Sequence, residues 1–319
     1  MLRYLAGRVL DLVLVAWIVA TVVFFLLRVI PGDPVLILAG IDAVSADSVA
    51  RLRAEMGLDR PVIVQYLGWL ADLLQGDMGT SLRRDVPVTT LVFGAAPATL
   101  QIAVLAAVIG IGTSIPLGVA AARAQGRARD GAITAAALLG ISTPHFVIAL
   151  LFIYIFALGL GLLPTSGYVP LTEAPIEGLA HLVLPALTLG LVMAGILVRM
   201  MRRSMIDELG EDYVRTARAK GASERRALYG HALRNALIPF VTIAGIEVGI
   251  LLSGAVIIET VFAIPGLGRL MIETINQRDY TVVQGAVLLS AVFYVLVNFT
   301  VDLLYTALDP RVRVAGRRA

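Results

Sequence analysis

The chain is predicted to be an all-α integral membrane protein with six transmembrane helices and a small external subdomain after the first. Three observations predict this. The 319 residues are 58% hydrophobic and only 15% charged, where a soluble domain averages about 25% charged. Several apolar runs reach the ~20 residues that cross a bilayer. The polar segments between those runs are very unequal in basic charge, as an oriented membrane protein requires.

The first span covers Val9–Val29. It is too long for the core of a signal peptide, and Arg28-Val29-Ile30-Pro31-Gly32-Asp33-Pro34 follows it where a small-residue cleavage site would stand, so it reads as a retained helix. Residues 1–30 therefore form an N-terminal segment with its helix, and 31–96 an external subdomain. Within the subdomain, Gly57–Pro61 makes a turn, and Tyr66, Leu67, Leu70, Leu73 and Leu74 fall at helical spacing. That pattern suggests a helix resting on the membrane with Trp69 near headgroup level. Five further spans follow at about Thr99–Ala121, Ala132–Leu160, Leu182–Met201, Phe240–Val261 and Val282–Leu304. They build a membrane core over 97–307, with a polar loop at 202–239 and a tail at 308–319. Pro116 and Pro144 are candidate kinks. After the fifth span, Glu259–Gly268 makes a sharp exit into an external amphipathic helix, Arg269–Asn276.

Orientation follows from the loops. With the N-terminus inside, the inner segments hold eighteen basic residues and the outer ones eight. Both termini and the 202–239 loop are thus expected in the cytoplasm.

That loop is the most distinctive stretch. Its pattern predicts a short helix from Tyr213 to Lys220, a break at Gly221 and a second short helix from Ser223 to about His231. Lipid is re-entered at Pro239. Ser223 is a candidate N-cap, and Gly221 supplies the backbone freedom an elbow needs. Such a knob either binds anionic lipid or is gripped by another protein. Glu247 lies about ten residues into the fifth span, where an ionisable group is costly. It either lines a translocation path or gate or is held by a buried partner; Ser253 and Asn298 are further path candidates. Small residues recur every fourth position at Gly110, Ser114, Gly118 and Ala122, and again at Gly245, Gly249 and Ser253. They allow close helix packing, within this chain or against a second membrane subunit.

Other chemistry is not signalled. The chain has no cysteine, so disulfides, thiolate nucleophiles and cysteine metal sites are excluded. Lys220 is the single lysine and lacks the glycine frame of a phosphate-binding loop. His145, His181 and His231 show no metal-ligand spacing. The reading is of a non-catalytic chain with no cofactor or metal of its own and no nucleic-acid partner.

Arg215-Thr216-Ala217-x-x-x-Gly221 resembles the Glu-Ala-Ala-x-x-x-Gly motif of ABC importer permeases, with Arg and Thr in place of the first Glu and Ala. The longer distance from Gly221 to Pro239 is similar to the dipeptide/oligopeptide and nickel branch. So are R-V-I-P-G-D-P (28–34), G-L-D-R-P with Q-Y and W (57–69), G-D-M-G-T-S-L (76–82), E-T-V-F-A-I-P-G-L-G (259–268), R-D-Y (278–280) and D-P-R (309–311). The resemblance implies a type I ABC importer permease fold and the B-type subunit of the pair, in a bacterial cytoplasmic membrane. It further implies a C-type permease partner, two cytoplasmic ATPases that bind ATP and Mg, and an external substrate-binding protein. The elbow residues Tyr213, Arg215, Thr216, Ala217, Arg218, Gly221, Ala222, Glu224 and Arg225 would couple the chain to an ATPase. Arg215, Arg218, Glu224 and Arg225 would pair there with charges on the ATPase groove. The implied cargo is a di- or oligopeptide. The alternatives are a nickel chelate or, in a different class, a stand-alone secondary transporter.

Overall fold

A computed structural model describes residues 2–29, 50–51, 54 and 58–308, without the side chains of 2–6, 8–9, 27, 253–254 and 302–308. Expectations that rest on 30–34, on Gly57, on 309–311 or on the side chain of Ser253 lie outside the described residues. The helices are α1 (Leu2–Val29), α2 (Val62–Leu74), α3 (Val88–Arg123), α4 (Ala128–Ser142), α5 (His145–Phe152), α6 (Pro175–Gly210), α7 (Asp212–Ala219), α8 (Leu233–Val261), α9 (Leu267–Asn276) and α10 (Tyr280–Leu308). Among the described residues no strand forms, only an isolated bridge between Thr80 and Pro87.

The stretches within Val88–Arg123, Pro175–Gly210, Arg226–Leu252 and Tyr280–Val301 are long and apolar enough to cross a membrane. The apolar stretch of α1, Leu10–Leu26, stands at the short end of the roughly 17–25 residues that span. The expected third span is not one straight helix: α4 and α5 bend by 105° at Thr143-Pro144. A residue before proline is pushed out of the helical region, and Thr143 is extended with ψ 126°. Pro116 makes no such break, since α3 stays helical through it.

The chain divides into two units. One comprises Ala98–Ile264 with Leu296–Ala319. Its centre is α6, whose apolar window is 72% buried against 33–39% for the other spans, so α6 has surrendered its surface to its neighbours α8 and α4. The small-residue stripes serve packing inside this unit. A Cβ on Gly118 would stand 2.5 Å from Met201 Cβ, one on Gly110 2.9 Å from Met193 Sδ, and one on Gly245 would overlap Val301. Backbones this close gain the dispersion contacts that hold helices together in lipid, where no hydrophobic effect drives them.

The other unit comprises Met1–Pro97 with Pro265–Val295. Its core joins Val88, Val92, Leu267, Leu270, Val282 and Ala286. The Gly79–Pro87 loop is tied down by a buried carboxylate: Ser81 Oγ donates to Asp279 Oδ2 at 2.5 Å, and the Leu82 N–H donates to Oδ1 at 3.3 Å. The expected external amphipathic helix is α9, with Leu267, Leu270 and Thr274 buried and Arg269 pairing with Glu273 at 2.8 Å on its outer face.

Candidate functional site

The polar elbow is folded rather than loose. α7 places Val214 in the main core with no exposed surface, while Tyr213, Arg215, Thr216 and Arg218 face outward. Its C-terminus closes in a two-bond cap: the Gly221 N–H donates to Arg218 O at 2.9 Å and the Ala222 N–H to Ala217 O at 3.1 Å. That cap needs a left-handed residue, and Gly221 has φ +87°. Ser223 then acts as the expected N-cap, its Oγ accepting from the Arg226 N–H at 3.3 Å.

Beyond Ser223 the arrangement differs from expectation. There is no separate second helix ending before Pro239. Arg226–Ala232 takes a π-helical form and runs directly into α8, with Pro239 inside that helix. Ala227, Leu228 and Ala232 are buried along it. The elbow is therefore a knob built straight onto a span.

The charges expected to face a partner already have partners within the chain. Arg218 pairs with Glu224 at 3.0 Å across the Gly221 break, and Arg215 pairs with Asp212 at 3.2 Å. All four are substantially exposed, so each pair is worth at most about 1 kcal/mol and exchanges readily for an external partner. Arg225 is exposed beside them. Tyr213 ties the elbow to the end of α6: its hydroxyl donates to the Glu208 carboxylate. Burial, that hydrogen bond and the nearby negative charges of Glu208 and Glu211 push the phenol up to about 12, so it remains a donor at neutral pH.

Glu247 lies on α8, half-buried, and makes no hydrogen bond or ion pair with the described residues. Asn298 is half-buried on α10. Sequence reading missed three buried acids that tertiary contacts explain. Asp279 is described above. Glu259 is fully buried and accepts from Thr99 Oγ1 at 2.6 Å. Asp130 receives Arg202 in a two-pronged pair, at 2.5 Å from Nε and 2.7 Å from Nη2, and the Gly126 N–H at 3.0 Å. The partners lie 72 residues apart, and no local spacing reveals such a pair.

The Arg202 hydrogen bonds, aided by the Gly126 N–H and opposed by burial, hold the Asp130 carboxyl down to about 2. A carboxylate with a depressed native pKa stabilises the fold above its unfolded value, and that contribution is lost as pH falls through the native one. Asp130→Asn is therefore expected to melt below the parent protein at neutral pH. The gap should close between about pH 4, the ordinary carboxylate range, and about pH 2. Thermal melting in detergent across that range checks it; a pH-independent gap would show that charge is not what the pair contributes.

An apolar helical bundle carrying a folded, charged knob on one of its spans has the build of a membrane transport subunit. The chain belongs to the family of binding-protein-dependent transport system inner membrane components, whose model matches residues 114–314, with that system's N-terminal membrane component matching residues 1–103. It is 41% identical over 337 residues to the dipeptide transport system permease protein DppB of Escherichia coli, covering 98% of this chain and 99% of that one. It is 39% identical over 310 residues to a Sinorhizobium fredii protein described as a probable peptide ABC transporter permease, covering 97% and 99%. Among solved structures, the inward-facing MetNI methionine ABC transporter matches with TM-score 0.56 at 20% identity, over 69% of this chain and 96% of that one. That likeness concerns the fold: the type I ABC importer permease fold. The family is a non-catalytic membrane component of importers that work with an ATPase and a substrate-binding protein. The bend between α4 and α5 is a feature a secondary transporter would also carry, and the family match decides against that alternative.

Proposed function

We propose that this chain is the B-type permease half of an importer that moves di- and oligopeptides across the cytoplasmic membrane by alternating access. The observation that carries this reading is the 41% identity to a dipeptide permease along nearly the whole chain. Both relatives described above are named for peptides, which favours peptides over nickel chelates. A C-type permease completes the pathway, and ATP and Mg are bound by two partner ATPases. The external binding protein docks on the 31–96 side, and both termini lie in the cytoplasm.

The elbow fits an ATPase groove as a coupling knob. Its core is packed through Val214, and its outer face offers Tyr213, Arg215, Thr216, Arg218, Gly221, Glu224 and Arg225. Ala217 and Ala222 serve it as cap partners. ATP-driven closure of the ATPases would move this knob and, through it, α6 and α8.

Glu247, with Ser253 and Asn298, is assigned to the translocation path. A half-buried carboxylate at mid-span with no partner in the described residues is costly against lipid, and a polar cavity shared with the second permease relieves that cost. Glu247→Gln is expected to slow uptake or change substrate preference, read by competition between labelled peptides. Unchanged rate and preference would make it structural.

Affinity purification from native membrane, with partners identified by mass spectrometry, tests the whole reading. A second permease, ATPases and a binding protein that takes up peptides are expected. Recovery of the chain alone would overturn the importer assignment, and a binding protein specific for nickel chelates would overturn the cargo.

A further inference from the structure

The helix α2 follows a long external segment, yet it carries one charge, Asp72, in its thirteen residues. It presents three distinct faces. Tyr66 is buried against α1, its hydroxyl 2.8 Å from Thr21 Oγ1. Trp69 turns the same way and lies 5.3 Å from the Phe24 ring. A polar face holds Gln65, Gly68 and Asp72. The third face holds Ile63, Leu67, Leu70 and Leu74, spaced four, three and four residues apart. Ile63 is 57% exposed, Leu67 58% and Leu74 83%, with Leu70 half-buried between them, so among the described residues nothing covers the outer part of this stripe.

The contacts with α1 locate α2 in depth. Arg28, at the end of α1, lies over the Phe24 ring at 3.4 Å and donates to Gln65 Oε1 at 2.8 Å. A guanidinium just past the apolar Leu10–Leu26 stretch marks headgroup level, because a charged head stays in the interface while its stem lies along apolar surface. Thr21, the deepest contact, is seven residues further in, about 10 Å along the axis at 1.5 Å per residue. An interfacial helix buries its apolar face by roughly that depth, about 5–10 Å. Around the same level α1 exposes Ile18, Val22, Phe25 and Leu26, and the stripe on α2 continues that apolar surface.

We infer that α2 is embedded in the outer boundary of the bilayer, its Ile63–Leu67–Leu70–Leu74 stripe among lipid acyl chains and its Gln65–Asp72 face towards the headgroups. It is clamped at that depth to α1 through Tyr66, Trp69 and Arg28. The partner of this surface is the lipid itself. The helix thereby holds the downstream end of the external segment at the membrane.

The chain has no cysteine, so single cysteines report cleanly. The intact transporter carrying Leu67→Cys, Leu74→Cys or Asp72→Cys is treated in native membrane vesicles with a charged, membrane-impermeant methanethiosulfonate. Cys reacts as the thiolate, which apolar surroundings suppress, so Leu67→Cys and Leu74→Cys should react roughly tenfold or more slowly than Asp72→Cys. In parallel, the unsubstituted transporter is reconstituted with a phosphatidylcholine bearing a diazirine on its acyl chain. Irradiation should attach lipid to the 62–74 segment at Leu67 or Leu74. Equal reactivity at positions 67, 74 and 72 would put the stripe in water and overturn the inference. Protection of 67 and 74 without any lipid adduct would assign the stripe to a protein partner and overturn it equally. Each cysteine variant is required to reach parental membrane levels, and the unsubstituted protein in the lipid experiment guards against misfolding of any one of them.

Discussion

Gly221→Asp is expected to abolish uptake while leaving the chain in the membrane at its normal level. Gly221 holds the left-handed position of the α7 cap at φ +87°, and a Cβ built there meets no atom within 4 Å. Aspartate enters that conformation more readily than most residues, at a cost of about 1–2 kcal/mol. The knob therefore keeps its shape and gains a negative charge at its exposed tip. In a close-fitting interface each ~1.4 kcal/mol lost is a factor of ten in affinity, so one unpaired charge is sufficient to unseat it. Gly221→Asn, matched in size and conformation but neutral, should retain more uptake than the aspartate. Gly221→Val, β-branched and a genuine outlier at positive φ, should unfold the cap and reduce the amount of protein as well. Peptide uptake and membrane abundance measured together separate these outcomes. Normal uptake by the aspartate variant would end the coupling assignment for this elbow.

Gly118→Leu is expected to produce the largest loss of folded protein. The α3 backbone approaches α6 so closely at this position that even a first carbon would sit 2.5 Å from Met201 Cβ and 3.0 Å from Val198 O. Neither obstacle is the free end of a flexible side chain. Overpacking a core costs about 1–3 kcal/mol even where neighbours adjust, and here the two helices must separate. Separation also strips contacts from α6, the most buried span. Gly112 lies on the same helix, and a Cβ there meets nothing within 4 Å, so Gly112→Leu is the control for added bulk alone. Gly118→Leu should fall well below Gly112→Leu in membrane abundance and melting temperature. Equal behaviour would show that the α3–α6 approach does not limit stability.

Much of this molecule was legible in the sequence because its signals are local. Apolar runs marked the spans, since bilayer thickness sets their length. The Ser223 cap and the Gly221 turn were legible because few residue types satisfy each backbone geometry. The amphipathic helix α9 was visible in its periodicity. The family motifs carried the importer resemblance, which the family match bears out.

What was missed depends on partners distant in the chain or on continuity across a boundary. A separate second elbow helix was expected before the re-entry at Pro239, but the π-form turns of Arg226–Ala232 feed α8 without a break, with Pro239 inside it. The kink read at Pro144 is present, but at 105° it breaks the single span expected over Ala132–Leu160. The pairs Arg218–Glu224 and Arg215–Asp212 within the elbow itself had no signal in the residue pattern. The packing of Trp69 on Phe24 had no signal in the local pattern either. The sequence by itself determined that this chain lives in a membrane, where its spans run and which loop stands apart, because hydrophobicity and turn chemistry act over a few residues. Only the tertiary structure decided which glycines serve close packing, which acids are buried and where each one's counter-charge or donor lies. Those are properties of surfaces brought together from distant parts of the chain.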